Sequence, residues 1–171
     1  MVQIGNYHIG KAETAKEPII DVLEAALLWD MLLARYLCVE ETQIYQNYAH
    51  DPEFKKFIGM VGINVLEKHV DELEKQMNLF NVLLPKRPPK SYNRPSCDQV
   101  FTDQFMFQKI FRGCQHLLYA HIRAIQSTIT NDSLRSVFTD FLSEEVVIFD
   151  KLIKYGKQKG WLEQPPVYRP T

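Results

Sequence analysis

The sequence predicts an all-α chain, a bundle of four long helices, and three observations carry that expectation. The stretch from Pro18 to Ala49 has no internal Gly or Pro, and apolar residues recur at Ile19, Leu23, Ala26, Leu33, Leu37, Ile44 and Tyr48. That spacing is the period of one long amphipathic helix. At about 1.5 Å per residue it spans roughly 50 Å, too long to stand without other helices covering its apolar stripe. Three further periodic stretches of similar length follow. Short polar turns join the first to the second and the third to the fourth, whereas a long Pro-rich segment joins the second to the third.

Taken in order, residues 1–16 hold two glycines, an Asn and no clear period, and read as an irregular arm. Pro18 suits a first helical turn, where its missing N–H is not needed, and the first helix runs over 18–49. His50-Asp51-Pro52 is the next boundary, with Asp51 a good N-cap and Pro52 a good first helical residue. The turn is so short that the first two helices must be antiparallel neighbours. The second helix covers 52–81, with Phe54, Val61, Leu66, Val70, Leu73 and Met77 among its inward residues. Gly59 and Gly62 either weaken it, by up to about 1 kcal/mol each, or mark a close helix contact.

Composition then changes. The linker 82–97 carries Pro85, Pro88, Pro89 and Pro95 with Lys86, Arg87, Lys90 and Arg94, and cannot be helical. Ser96 with Gln99 resembles a capping box, Asp98 is an alternative cap, and the third helix is placed at 98–129. Its apolar face carries Phe107, Phe111, Cys114, Leu118, Ile122, Ile125 and Ile129. Thr130-Asn131-Asp132 makes a second tight turn. The fourth helix, 132–159, turns Leu134, Phe138, Phe141, Ile148, Leu152 and Tyr155 inward and stops at Gly160. The tail, 161–171, is Pro-rich and aromatic, and is expected to be extended and packed through Trp161 and Tyr168. The whole chain, 1–171, reads as one domain. The linker decides the topology. About sixteen extended residues reach roughly 50 Å, slightly more than one helix length. That allows a return along the bundle and gives up-down-down-up order, the ferritin-like arrangement with one long crossover.

The formal net charge of −1 gives no reason to expect nucleic acid or an anionic membrane as partner. The most apolar run, Ala25 to Leu37, is interrupted by Asp30 and Arg35, which argues against a membrane span. Met1 to Gly10 lacks the pattern of a signal peptide. Cys38, Cys97 and Cys114 are odd in number, match no metal spacing, and read as reduced thiols of a cytoplasmic protein.

Several short stretches carry a family likeness. Leu28-Trp29-Asp30 is followed by Ala34-Arg35-Tyr36 and then Tyr48-Ala49-His50-Asp51-Pro52. Lys86-Arg87-Pro88-Pro89-Lys90, Asn131-Asp132-Ser133-Leu134-Arg135 and Lys151-Leu152-Ile153-Lys154-Tyr155-Gly156 add to it. Over residues 18 to 170 the chain resembles the spore coat protein F-like group of ferritin-like proteins from Gram-positive spore formers. The resemblance implies a four-helix bundle and a link to sporulation. It implies no chemistry, because these motifs are structural landmarks.

A ferritin-like bundle invites a search for a carboxylate-bridged di-iron site, whose signature includes two Glu-x-x-His pairs. Residues i and i+3 share a helix face and can reach the same metals. No such pair occurs: Leu66 precedes His69 at that spacing, Gly113 precedes His116, Leu118 precedes His121, and Ile148 follows Glu145. This argues against ferroxidase, oxygenase or ribonucleotide-reductase chemistry. The stripes instead place Asp30, His69 and Glu145 inward at one level, with His121 or Gln115 completing the group. Four such groups would form a buried hydrogen-bonded network, or, as the alternative, a site for a single metal ion held by carboxylates and imidazoles. Glu40 and Glu41 are expected to pair with basic neighbours, His116 to be solvated, and His8 and His50 to be exposed. No nucleophile triad or phosphate loop is visible. The expected function is therefore a non-enzymatic structural or interaction protein, sporulation-associated, in the cytoplasm, forespore or spore. The alternative is a metal-binding protein or metal-dependent enzyme. The expected partners are a second copy, contacting through Trp161, Tyr168 and the linker, and other spore proteins. No membrane or nucleic acid is expected.

Overall fold

The computed structural model describes residues 2–4, 7–9, 19–87 and 102–162, the first two segments as backbone only. The arm read as irregular contains a small antiparallel hairpin, β1 (Val2–Ile4) and β2 (Tyr7–Ile9), with Val2 opposite Ile9 and Ile4 opposite Tyr7. Gly5-Asn6 between the strands is the sequence cue for it, since such pairs favour two-residue hairpins.

Helix α1 (Val22–Tyr48) starts where Asp21 and Glu24 form a reciprocal capping box. That is four residues later than the proline cue suggested. The next rod is continuous but not uniform. It runs through α2 (Pro52–Phe57), a π-helical turn (Ile58–Ile63) and α3 (Asn64–Leu79). Asp51 caps it, accepting from the Glu53 and Phe54 N–H groups. Gly59 and Gly62 are there for close approach: a Cβ on Gly59 would lie 2.6 Å from Gln46 Nε2, and one on Gly62 3.2 Å from Thr42 Cγ2. Helix α4 (Asp103–Ser127) begins at an N-cap Thr102, later than the expected start at 98. Helix α5 (Asp132–Lys159) is capped by Asn131 and ends at Gly160, which adopts the left-handed conformation with φ of 69°.

Contacts between helix ends fix the directions. Glu24, near the start of α1, accepts from the backbone N–H groups of Thr130 (2.9 Å) and Asn131 (3.0 Å), between α4 and α5. At the opposite end the N–H groups of His50 and Asp51 donate to Asp103 at 2.9 Å each, and Lys159 Nζ reaches Asp51 at 2.7 Å. Helices α1 and α5 therefore run one way, and the second rod and α4 run the other. This is a four-helix bundle in up-down-down-up order. The end of α3 and the start of α4 lie at opposite ends of it. Arg87 is already turned back along α3, 3.4 Å from Glu74 and 3.7 Å from Asp71. The remainder of the expected crossover, 88–97, lies outside the described residues, as does Tyr168.

The core has two apolar clusters. One is built around Leu28, Leu32, Leu73, Met77, Phe138 and Phe141. The other gathers Phe54, Ile58, Phe107, Leu152 and Tyr155, with Trp161 packed on it 5.2 Å from Phe54. Each fully buried large side chain contributes roughly 1.5–3 kcal/mol. Each of the four rods also buries a polar side chain, Arg35, His69, His121 and Glu145.

Candidate functional site

The buried face of α1 carries Glu24, Leu27, Leu28, Met31, Leu32, Arg35, Tyr36, Thr42 and Tyr45. This is a different phase from the expected stripe, and it changes the site. Asp30 is exposed and takes no part in the central cluster. The expectation that it points inward is corrected, because Ile19, Leu23, Ala26 and Leu37, which defined that stripe, are themselves exposed. The side chain α1 sends inward is Arg35, with no exposed surface. The other three residues do converge: His69 from α3, His121 from α4 and Glu145 from α5 are all buried. Gln115 stays outside the group and accepts from Arg112 Nη1 at 3.0 Å.

The guanidinium of Arg35 sits at the centre. Its Nη2 lies 2.6 Å from His121 Nε2 and 3.2 Å from Glu145 Oε2. A guanidinium can only donate, so His121 Nε2 must be the acceptor and its proton must sit on Nδ1. His121 is held neutral, its pKa pushed down to about 3 by burial first and then by the charge of Arg35. Glu145 Oε1 accepts from the thiol of Cys114 at 3.5 Å. Burial first, and then the Glu145 charge, push that thiol well above its ordinary range, so it stays protonated. Burial also raises the Cys38 thiol. Neither thiol has the depressed pKa of a nucleophile.

His69 closes the cluster on the α3–α5 side. Its Nε2–H donates to Glu144 Oε2 at 3.0 Å, and Glu144 also pairs with Lys68. Its ring stacks on Phe141 at 4.1 Å and stands 6.4 Å, edge to face, from the ring of His121. Burial, and then Arg35, push its pKa down to about 4. Both imidazoles are thus neutral at physiological pH, with tautomers set by their partners. Arg35 Nε and Nη1, His69 Nδ1 and His121 Nδ1 have no hydrogen-bond partner among the described residues. Glu145 and the His121 Nε2 lone pair, the groups that would have to bind a cation, face a resident guanidinium. As arranged, the cluster does not fit a metal ion, and among the described residues no three His, Cys, Asp or Glu side chains are grouped to hold one.

Of the secondary candidates, His116 and His50 are exposed, and Glu41 accepts from Tyr45 Oη. The side chain of His8 lies outside the described residues. Among the described residues no helix is long and apolar enough to cross a membrane. The residues missed from sequence are Arg35 and Glu24, both fully buried charges on α1. The signal for them was the denser alternative stripe formed by Leu27, Leu28, Met31, Leu32 and Tyr36.

The fold has a solved counterpart. A candidate spore coat protein from Bacillus halodurans C-125 is similar over 92% of this chain and 100% of its own, with a TM-score of 0.84 and 22% sequence identity. At that identity the likeness establishes the fold. No curated protein matches the sequence. A family model matches residues 9–170. The chain therefore belongs to the family described as protein of unknown function (DUF3231).

Proposed function

We propose that this chain is a non-enzymatic structural or interaction protein associated with sporulation, made in the cytoplasm of the sporulating cell and retained in the forespore or spore. The observation that carries the non-enzymatic part is the position of Arg35. A fixed cation occupies the centre of the buried cluster to which α1, α4 and α5 contribute Arg35, His121 and Glu145. Glu145 is taken up by Arg35 and the Cys114 thiol, and the other groups there are neutral imidazoles and a protonated thiol, none suited to take or give a proton near neutral pH. Such a cluster specifies how four helices meet and performs no chemistry.

The sporulation part is supported by the motif likeness and by the name given to the solved neighbour. The interaction part is supported by the outer face of α1. Val22 and Leu37 are 89% and 58% exposed, and Trp29 lies in the same row. Monomeric proteins rarely leave so continuous an apolar row in water. We assign the expected contacts, with a second copy or with other spore proteins, to this row. Trp161, expected at that contact, packs instead on Phe54 and Phe107 of its own chain. The test is fractionation of cells through sporulation with an antibody to the chain. Recovery in the spore fraction, together with loss of that recovery in a Leu37→Asp variant that still folds, supports the proposal. Equal abundance in vegetative cells and absence from spores would remove it.

A further inference from the structure

A second feature lies beside the ion pair rather than in it. A cavity of about 80 Å³ opens between the π-helical turn, α1, α4 and α5. Its wall is largely hydrocarbon, with Val61, Leu66, Ile110, Leu117, Ile148 and Leu152 contributing, and the exposed residues Glu41 and Lys109 also line it. Two independent features of the chain make the space. The π turn widens the rod at Ile58–Ile63, a distortion that often accompanies functional sites. Gly113, in the middle of α4, also stands on the wall, and a Cβ built there would meet no atom within 4 Å. A helix-interior glycine costs stability relative to alanine. Here it does not serve close packing, unlike Gly59, so its effect is to keep the space open.

We propose that this cavity is a binding site for a small, uncharged, apolar molecule. The chemistry of its inner end selects that class. The carboxylate of Glu145 is already paired with Arg35 and with the Cys114 thiol, and Tyr45 Oη already donates to Glu41. A polar guest would find those groups taken, whereas an apolar guest needs none of them. Size sets the other limit. An apolar cavity of about 150 Å³ stays dry and accepts benzene or xenon, so this one suits a guest of about three heavy atoms or a single xenon atom.

The test uses the full-length chain and xenon as the probe, followed by two-dimensional NMR as gas pressure is raised. Saturable shifts are expected at Val61, Ile110, Gly113 and Cys114. In Gly113→Val the added methyl groups fill the space and those shifts should vanish while the rest of the spectrum is retained. If that variant does not fold, Gly113→Ala, which adds only the Cβ, should weaken xenon binding several-fold. Shifts scattered over the surface, no saturation in the wild type, or shifts that persist unchanged in the filled variant would overturn the proposal. None of these outcomes bears on the sporulation role.

Discussion

Replacing Arg35 by methionine should be among the most damaging substitutions in the chain. Methionine keeps much of the volume but removes the charge from a site where the Arg35 side chain has 0% exposure and that of Glu145 5%. A buried ion pair adds little net stability compared with apolar residues of the same shape, because both ions are desolvated. Removing one partner is different, since the remaining carboxylate keeps its desolvation cost and loses its compensation. That costs about 3–5 kcal/mol. With a urea dependence of about 2 kcal/mol per molar, the midpoint should fall by roughly 1.5–2.5 M, read by far-UV circular dichroism. Arg35→Met combined with Glu145→Met removes both charges and should recover at least about half of the loss. A single variant within about 1 kcal/mol of wild type, or a double variant as weak as the single, would refute the view that these two residues compensate each other.

Four further outcomes follow from local geometry. The Glu24 carboxylate satisfies three backbone donors, those of Asp21, Thr130 and Asn131. Glu24→Ala should therefore cost about 3 kcal/mol or more, with Glu24→Gln intermediate, by thermal or urea denaturation. Gly113→Ala should stabilise by up to about 1 kcal/mol, since helix propensity improves and nothing is displaced. Gly156→Ala should destabilise despite the same propensity gain, because its Cβ would lie 2.3 Å from Phe107 Cζ. His69 and His121 have pKa values pushed down to about 4 and about 3, so on acidification the unfolded chain takes up protons first. Their contribution is full above about pH 6.5 and declines as pH falls toward about 4. Urea midpoints should accordingly drop between about pH 7 and about pH 5, and less steeply in His121→Gln. A midpoint that rises over that interval would contradict the neutral-imidazole assignment.

The bundle was legible because its punctuation is local. Asp51-Pro52 and Asn131-Asp132 cap α2 and α5 where the sequence placed them, and the helix directions follow from one long linker between two short turns. The inward residues of α5 could be read because that helix has one apolar face. Helix α1 has two. Leu23, Ala26 and Leu37 repeat at helical spacing on the outside, while Leu27, Leu28, Met31 and Leu32 repeat on the inside. Periodicity alone cannot choose between two phases of the same period, and the sparser one led to Asp30. Arg35 was hidden for a second reason. A fully buried arginine is rare, and its burial here depends on Glu145, 110 residues away. The π turn left no trace beyond two glycines, since it depends on how the rod meets α1.

The central claim is that the polar centre of the bundle is an ion pair that holds helices together, with a guanidinium where a metal would sit. It is tested most directly by the metal content of the full-length protein, purified from its native source without chelator or added metal and measured by mass spectrometry against chain concentration. The account predicts transition metal far below one equivalent per chain, unchanged in Glu145→Ala and His121→Ala. One equivalent of a transition metal that is retained through purification and lost in both variants would contradict it.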